Sequence, residues 1–167
     1  FKDYSEASGG NVSDFSTYQR NNNNNNSTEA SFNALTDRGI SIETAKKYGV
    51  KSVLSSNGSI YEHHYPMYIN NEVVATKIRR PNKEFYWRGS SKGTGLFGQQ
   101  LCQDGGKYIT ITEGECDAMA AFELLGSKWA CVSIKRGALS AVKDIKESLE
   151  YVESFDNVVL CFDKDKQ

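Results

Sequence analysis

A chain of 167 residues, 38% hydrophobic and 25% charged, has material for one compact domain or for a small one with an appended subdomain. Its formal net charge of −1 carries no information about nucleic acid, so the distribution of charge has to be read instead. No apolar run approaches the length of a membrane span and there is no signal peptide, so no membrane partner is expected.

Residues 1–30 are polar, rich in Ser, Asn and Gly, and include the run Asn21 to Asn26. Such a stretch buries too little apolar surface to offset its ordering entropy and is expected to be a flexible linker. The chain starts at Phe1 without Met and stops at Gln167 just after a strand-like run, so both ends read as cut and a piece of a longer protein is expected. Ser41, with Glu43 in the first turn and Gly49 as the stop, predicts a short helix over 41–48. Residues 60–69 then read as a strand, Asn70-Asn71 as a turn and 73–79 as the returning strand. His63 and His64 fall on that first strand, so their rings point to opposite faces and are not expected to share a metal.

Between Lys77 and Lys107 cations dominate, with Lys77, Arg79, Arg80, Lys83, Arg88 and Lys92 against only Glu84 and Asp104, and Phe85, Tyr86 and Trp87 in their midst. Cations for phosphates and aromatic faces for bases are what a single-stranded template needs, although a solvated strand-and-loop surface has the same composition. Gly93-Thr-Gly-Leu-Phe-Gly98 lacks the spacing of a phosphate-binding ATPase loop and is not read as one.

From Lys107 the pattern changes to alternating β and α units. Strands are predicted over 108–112, 129–134 and 157–162, and helices over 116–125 and 139–149. That alternation argues for a parallel sheet with crossover helices. The resulting organisation is a linker over 1–30, a smaller α+β subdomain over 31–106 and an α/β domain over 107–167. Cys102, Cys116, Cys131 and Cys161 form no CxxC pair; the last three sit in apolar runs and read as buried free thiols, as in a reducing, intracellular setting.

Two acidic groups close the strands of the α/β part. Glu113, Glu115 and Asp117 lie where strand 108–112 turns into a helix, and Asp163 and Asp165 lie just past strand 157–162. In parallel sheets ligands bind beyond the carboxyl ends of the strands, and Gly114 lets backbone and side chain approach an ion closely. Clustered carboxylates repel unless a cation neutralises them, and a hard divalent ion does so. Acids at a helix N-terminus also complement the helix dipole, which alone would account for Glu115 and Asp117. The two groups together, each after a strand of one α/β unit, favour a metal site.

Ile111-Thr-Glu-Gly-Glu-Cys-Asp-Ala-Met119 with Val158-Val-Leu-Cys-Phe-Asp-Lys-Asp165 resembles the Toprim signature, a Glu after one strand and a DxD after another. Upstream, Leu35-Thr-Asp-Arg-Gly-Ile-Ser-Ile-Glu-Thr44, the hairpin, Lys77-Ile-Arg79, Lys83, Gly89-Ser90, Lys92 and Leu96-Phe-Gly98 narrow the resemblance to the primase half of phage T7-type primase–helicases, to which the mitochondrial Twinkle helicases are related. The resemblance implies an α/β Toprim domain, a parallel sheet flanked by helices, preceded by a smaller α+β primase subdomain. It implies that Glu113, Asp163 and Asp165 hold catalytic magnesium (or manganese), with Glu115 and Asp117 as supporting acids. Lys77, Arg79, Lys83, Arg88 and Lys92 would then meet ribonucleoside triphosphates or the template. Lys135-Arg136 departs from the family's pattern and is assigned only a positive charge.

The expected activity is therefore synthesis of short RNA primers on single-stranded DNA. The expected partner is a helicase motor, hexameric and in the same full-length chain. The setting would be the host cytoplasm for a phage protein, or an organelle for a eukaryotic one. Two other readings share these motifs: a catalytically inactive, primase-like single-stranded DNA-binding domain of a replicative helicase, and another Toprim enzyme such as a topoisomerase or nuclease.

Overall fold

The computed structural model describes residues 29–164. The expected linker thus lies almost wholly outside the described residues, and so does Asp165. Helix α1 (Ile42–Tyr48) opens at Ser41, whose hydroxyl accepts from the Thr44 N–H and donates to the Glu123 carboxylate at 2.6 Å. Four antiparallel strands follow, β1 (Lys51–Leu54), β2 (Ile60–Ile69), β3 (Glu72–Arg79) and β4 (Phe85–Gly89), ordered as they occur in the chain. Asn70 and Asn71 turn β2 into β3 with φ of 50° and 66°, the double left-handed geometry of a tight hairpin.

The second sheet is parallel. It comprises β5 (Gly106–Thr112), β6 (Ala130–Ser133) and β7 (Phe155–Cys161), with β5 in the middle. Helix α2 (Glu115–Leu124) connects β5 to β6, and a short 3-10 turn with α3 (Ala141–Glu147) and α4 (Leu149–Glu153) leads to β7. The single helix expected over 139–149 is corrected here: it starts at Ala141, breaks at Ser148 and resumes to Glu153. At the break the Ser148 N–H closes on the Ile145 carbonyl and its own carbonyl accepts from Val152, so one short helix ends and the next begins at a residue the apolar spacing does not single out. The buried positions are Ala141, Asp144, Ser148, Tyr151 and Val152, while Leu139, Val142 and Leu149 are exposed.

Cys116 and Cys131 are buried as expected, but Cys161 is exposed. It ends β7, which lies at the edge of the described sheet and exposes every residue after Phe155.

One hydrophobic cluster draws on both sheets: Tyr48, Tyr65, Met67 and Phe97 from the first part meet Cys116, Met119, Phe122 and Cys131 from the second. Tyr48 stacks on Phe97 at 5.5 Å, and Tyr65 meets the same ring edge-on at 5.7 Å. Residues of both parts thus share one core, continuous across residues 106–107, and full burial of a side chain such as Met67 or Phe97 contributes roughly 1.5–3 kcal/mol. Phe97 and Ser133 exchange backbone hydrogen bonds of 3.0 and 3.1 Å, which lays the 93–98 segment along β6. Gly98 follows with φ 87°, and a Cβ there would come within 2.7 Å of the Tyr48 ring and 3.0 Å of the Cys131 carbonyl. This segment is packing material with no strand–loop–helix geometry, in keeping with its rejection as a phosphate loop.

The outer face of the small sheet carries a polar knot. Glu62 accepts from Arg80 Nε at 3.1 Å and Tyr86 OH at 3.2 Å, and pairs with the His64 ring at 2.9 Å. Burial pushes its carboxyl up, but the bonds from His64, Arg80 and Tyr86 outweigh that and hold it below the usual 4.5. Because the folded state binds this proton more weakly than the unfolded chain, the stabilisation is complete above the unfolded pKa and is lost as pH falls through the depressed one. Glu62→Gln should therefore lower stability near pH 7, with a gap to wild type that closes as pH falls through the depressed carboxyl pKa, read by urea unfolding at neutral and at acid pH. A gap that is constant with pH would assign the loss to packing.

Candidate active site

Glu113 and Asp163 leave neighbouring strand ends. Thr112 of β5 pairs with Cys161 of β7 in parallel register, and adjacent strands run about 4.8 Å apart, so the two acids follow neighbouring strand ends at the carboxyl edge of the sheet. Neither forms an ion pair with another described side chain, and Asp163 is exposed. Thr112 is buried, and its hydroxyl lies 3.0 Å from the Gly114 carbonyl and 3.2 Å from that of Val132, tying the turn to β6.

Gly114 has φ −114°, a conformation open to any residue. A Cβ there would meet only the Asp117 carboxylate, at 2.6 Å, and that exposed side chain can swing aside. The acids of this turn then part company. Asp117 is exposed, whereas Glu115 is 4% exposed and faces inward. Among the described residues no three His, Cys, Asp or Glu side chains converge as ligands of one ion.

Glu115 meets Lys77. The ammonium donates to the carboxylate at 2.7 Å and to the Lys135 carbonyl at 3.0 Å, with the Phe85 ring 5.2 Å away. Lys77 is thus buried and held, and it joins β3 of the small sheet to the carboxyl edge of the parallel one. Lys135, 1% exposed, donates to the Thr94 carbonyl at 2.8 Å and to Glu147 at 3.0 Å. Its ammonium holds the Glu147 carboxyl below the ordinary range. Asp144, fully buried, accepts from the Lys135 and Arg136 N–H groups at 2.8 and 3.2 Å and from the Arg136 guanidinium. The two cations that depart from the family pattern therefore serve the loop after β6, clamping it to α3. Sequence reasoning missed Asp144 and Glu147; an acid pair three residues apart on a helix, following Lys-Arg, was the available signal.

The remaining cations disperse. Strand alternation and the pairing of Lys77 with Trp87, Thr76 with Arg88 and Arg79 with Phe85 put Lys77 and Arg79 on the face toward the carboxylates and Arg88 on the opposite face. Lys83, in a turn with φ 67°, and Lys92 are exposed. The histidines separate as alternation requires: His63 bonds Tyr65 OH at 2.9 Å and Asp37 at 3.2 Å, while His64 turns to Glu62. Burial pushes the His63 pKa below its usual value despite Asp37 beside it.

A parallel sheet with a Glu after its central strand and an Asp after the neighbouring one, backed by an antiparallel sheet that carries Lys77 and Arg79 on its inner face, defines a Toprim-type α/β domain joined to an N-terminal primase subdomain. No family profile matches the chain. Over 134 residues, 80% of its length, it is 37% identical to the DNA helicase/primase of Enterobacteria phage T3, of which it spans 23%. The primase fragment of the bacteriophage T7 primase–helicase superposes with a TM-score of 0.74 at 36% identity, covering 82% of this chain and 56% of that one. A structure of the T7 lagging-strand DNA polymerase with primase domains bound to an RNA/DNA hybrid and dTTP matches with a TM-score of 0.73 at 36% identity, covering 82% and 69%. The chain belongs to the primase part of the phage primase–helicase family. Among the described residues no helix is long and apolar enough to cross a membrane.

Proposed function

We propose that this chain catalyses template-directed synthesis of short RNA primers on single-stranded DNA, as the primase part of a larger primase–helicase in the cytoplasm of a phage-infected host. The juxtaposition of Glu113 and Asp163 at adjacent strand ends, within a chain related to phage primases, carries this reading. Both offer carboxylate oxygens that no described ion pair consumes, a donor set suited to a hard divalent cation, and Asp165 extends it in sequence. Glu113, Asp163 and Asp165 would hold magnesium, or manganese in its place. The chemistry such an ion supplies is activation of the attacking 3′-hydroxyl and neutralisation of charge on the leaving pyrophosphate.

The chain's own residues do the rest. Arg79, on the face toward the carboxylates, and exposed Lys83 and Lys92 supply cations for triphosphates or the template backbone. Lys77, tied to Glu115, fixes the small sheet against the site and leaves Glu115 unavailable to an ion. Arg88, on the far face, would reach template leading away from the site. The helicase motor, hexameric in this reading, lies in another part of the full-length protein.

The test is primer synthesis on circular single-stranded DNA with labelled ribonucleotides and magnesium, with Asp163→Asn alongside. Short RNA products that vanish in the variant are expected. Absence of product from the wild-type chain with DNA binding retained would instead make it a DNA-binding domain without priming activity.

A further inference from the structure

The segment from Leu35 to Ile40 has no part in the site described so far. Leu35 and Ile40 exchange backbone hydrogen bonds of 2.9 and 3.2 Å and are both buried, which clamps the base of a tight turn. Gly39 completes it with φ 66°. Between these anchors Thr36, Asp37 and Arg38 stand exposed at the tip. Packing accounts for the anchors and the glycine but leaves Arg38 without a folding role.

The tip is braced by a buried chain of polar groups. His63, 7% exposed, has Nε2 3.2 Å from the Asp37 carboxylate and Nδ1 2.9 Å from the Tyr65 hydroxyl. That hydroxyl lies 3.2 Å from Cys116 Sγ, at the start of α2 and three residues after Glu113. A carboxylate only accepts, so the ring proton sits on Nε2 and Nδ1 accepts from Tyr65. The turn is thereby tied through β2 to the carboxyl edge of the parallel sheet. Arg79 stands directly opposite His63 in the β2–β3 register, on the same face. Burial, with the Arg38 and Arg79 charges, pushes the His63 pKa down against the pull of Asp37, so both guanidinium groups act on one imidazole. Arg38 has only its neighbour Asp37, at 3.6 Å, as an ion-pair partner, and Arg79 has none among the described residues.

We propose that Arg38 is a further substrate-binding residue, which with Arg79 grips a phosphate group beside the Glu113 edge, while His63 acts through Asp37 to position the turn. The inference rests on the reading of that edge as a nucleotidyl-transfer site. Substrates of such a site carry their charge on phosphates, whether of an incoming triphosphate or of the template strand. Two guanidinium groups against one carboxylate leave a surplus of positive charge there to meet it. A guanidinium fork binds phosphate oxygens two at a time, and a fork carried on a clamped turn gives up little freedom in doing so.

The experiment is equilibrium binding to the whole 167-residue chain in the presence of magnesium, with two probes: ATP by calorimetry and fluorescein-labelled oligo(dT) by anisotropy. Arg38→Ala should weaken at least one probe by at least about tenfold, the value of a charge-assisted contact. Loss with ATP places the triphosphate at Arg38, and loss with the oligonucleotide places the template there. In the second case the dependence of log Kd on log salt should also flatten, by about 0.7 for one single-strand phosphate contact. Lys46→Ala, an equal charge change at an exposed site on α1, should alter neither probe. His63→Leu should match the Arg38→Ala loss and add nothing to it in the double variant, and His63→Gln, which returns a donor to Asp37, should restore binding. Wild-type affinity for both probes in Arg38→Ala, or equal weakening by Lys46→Ala, would overturn the proposal and leave the reading of the edge standing. A His63→Gln variant as weak as His63→Leu would overturn the positioning role. A wild-type chain that binds neither probe would sink the substrate site itself, and the inference with it.

Discussion

Glu113→Gln is expected to reduce primer synthesis by about 100- to 1,000-fold, the size of several kcal/mol of lost charge stabilisation at a metal-dependent site. The amide keeps the shape of the side chain and removes its charge. Because Glu113 pairs with no described cation, folding stability should stay within about 0.5 kcal/mol of wild type, as for a surface substitution. That separation is the useful part of the result. Activity lost with an unchanged urea midpoint assigns Glu113 to the chemistry, whereas a variant as active as wild type would remove the strand-end acids from the mechanism. Half-buried Glu113 follows the central strand, so little can relax around it.

Lys77→Met is expected to do the reverse and act on folding first. It leaves Glu115, 4% exposed, as a buried carboxylate without a counter-charge and strips the Lys135 carbonyl of a donor. Breaking a buried pair from one side costs about 3–5 kcal/mol, a large fraction of a domain's stability. The double variant Lys77→Met/Glu115→Leu should recover much of that loss, because apolar groups replace both charges at once. Urea unfolding of the three proteins decides the matter. A loss below about 1 kcal/mol, the range of an exposed pair, would mean that Lys77 is free in solution and available to a phosphate.

Much of the architecture is legible in the amino-acid sequence. Alternation over 60–79 marked the hairpin, Asn70-Asn71 marked its turn, and the spacing of β and α units after Lys107 marked the parallel sheet. The strand-end position of Glu113 and Asp163 followed from the same pattern. The fate of the cations did not. Lys77 and Glu115 are 38 residues apart, and each alone looks like a surface charge. Only the packing of one sheet on the edge of the other removes both from water. Lys135 misleads in the same way, a lysine after a strand whose ammonium ends among the Thr94 carbonyl and Glu147.

Arg88 belongs with Lys77 and Arg79 in the basic stretch of the sequence, but once β4 pairs with β3, strand alternation separates them. The break at Ser148 escaped for a different reason. Its cause is a local change of backbone direction that buries Tyr151 and Val152, and no helix-breaking residue advertises it.

The continuity of the core has a bearing on how the chain is made. The antiparallel sheet is complete in sequence by Gly89, yet Tyr65 and Met67 on its inner face share a core with Phe97, Cys116, Met119, Phe122 and Cys131, all of which follow it in the chain. A nascent chain emerges from the ribosome at about 5–20 residues per second, so this sheet spends seconds outside with Tyr65 and Met67 uncovered. During that interval it is a substrate for chaperones and for self-association, and the arrival of α2 and β6 ends the exposure.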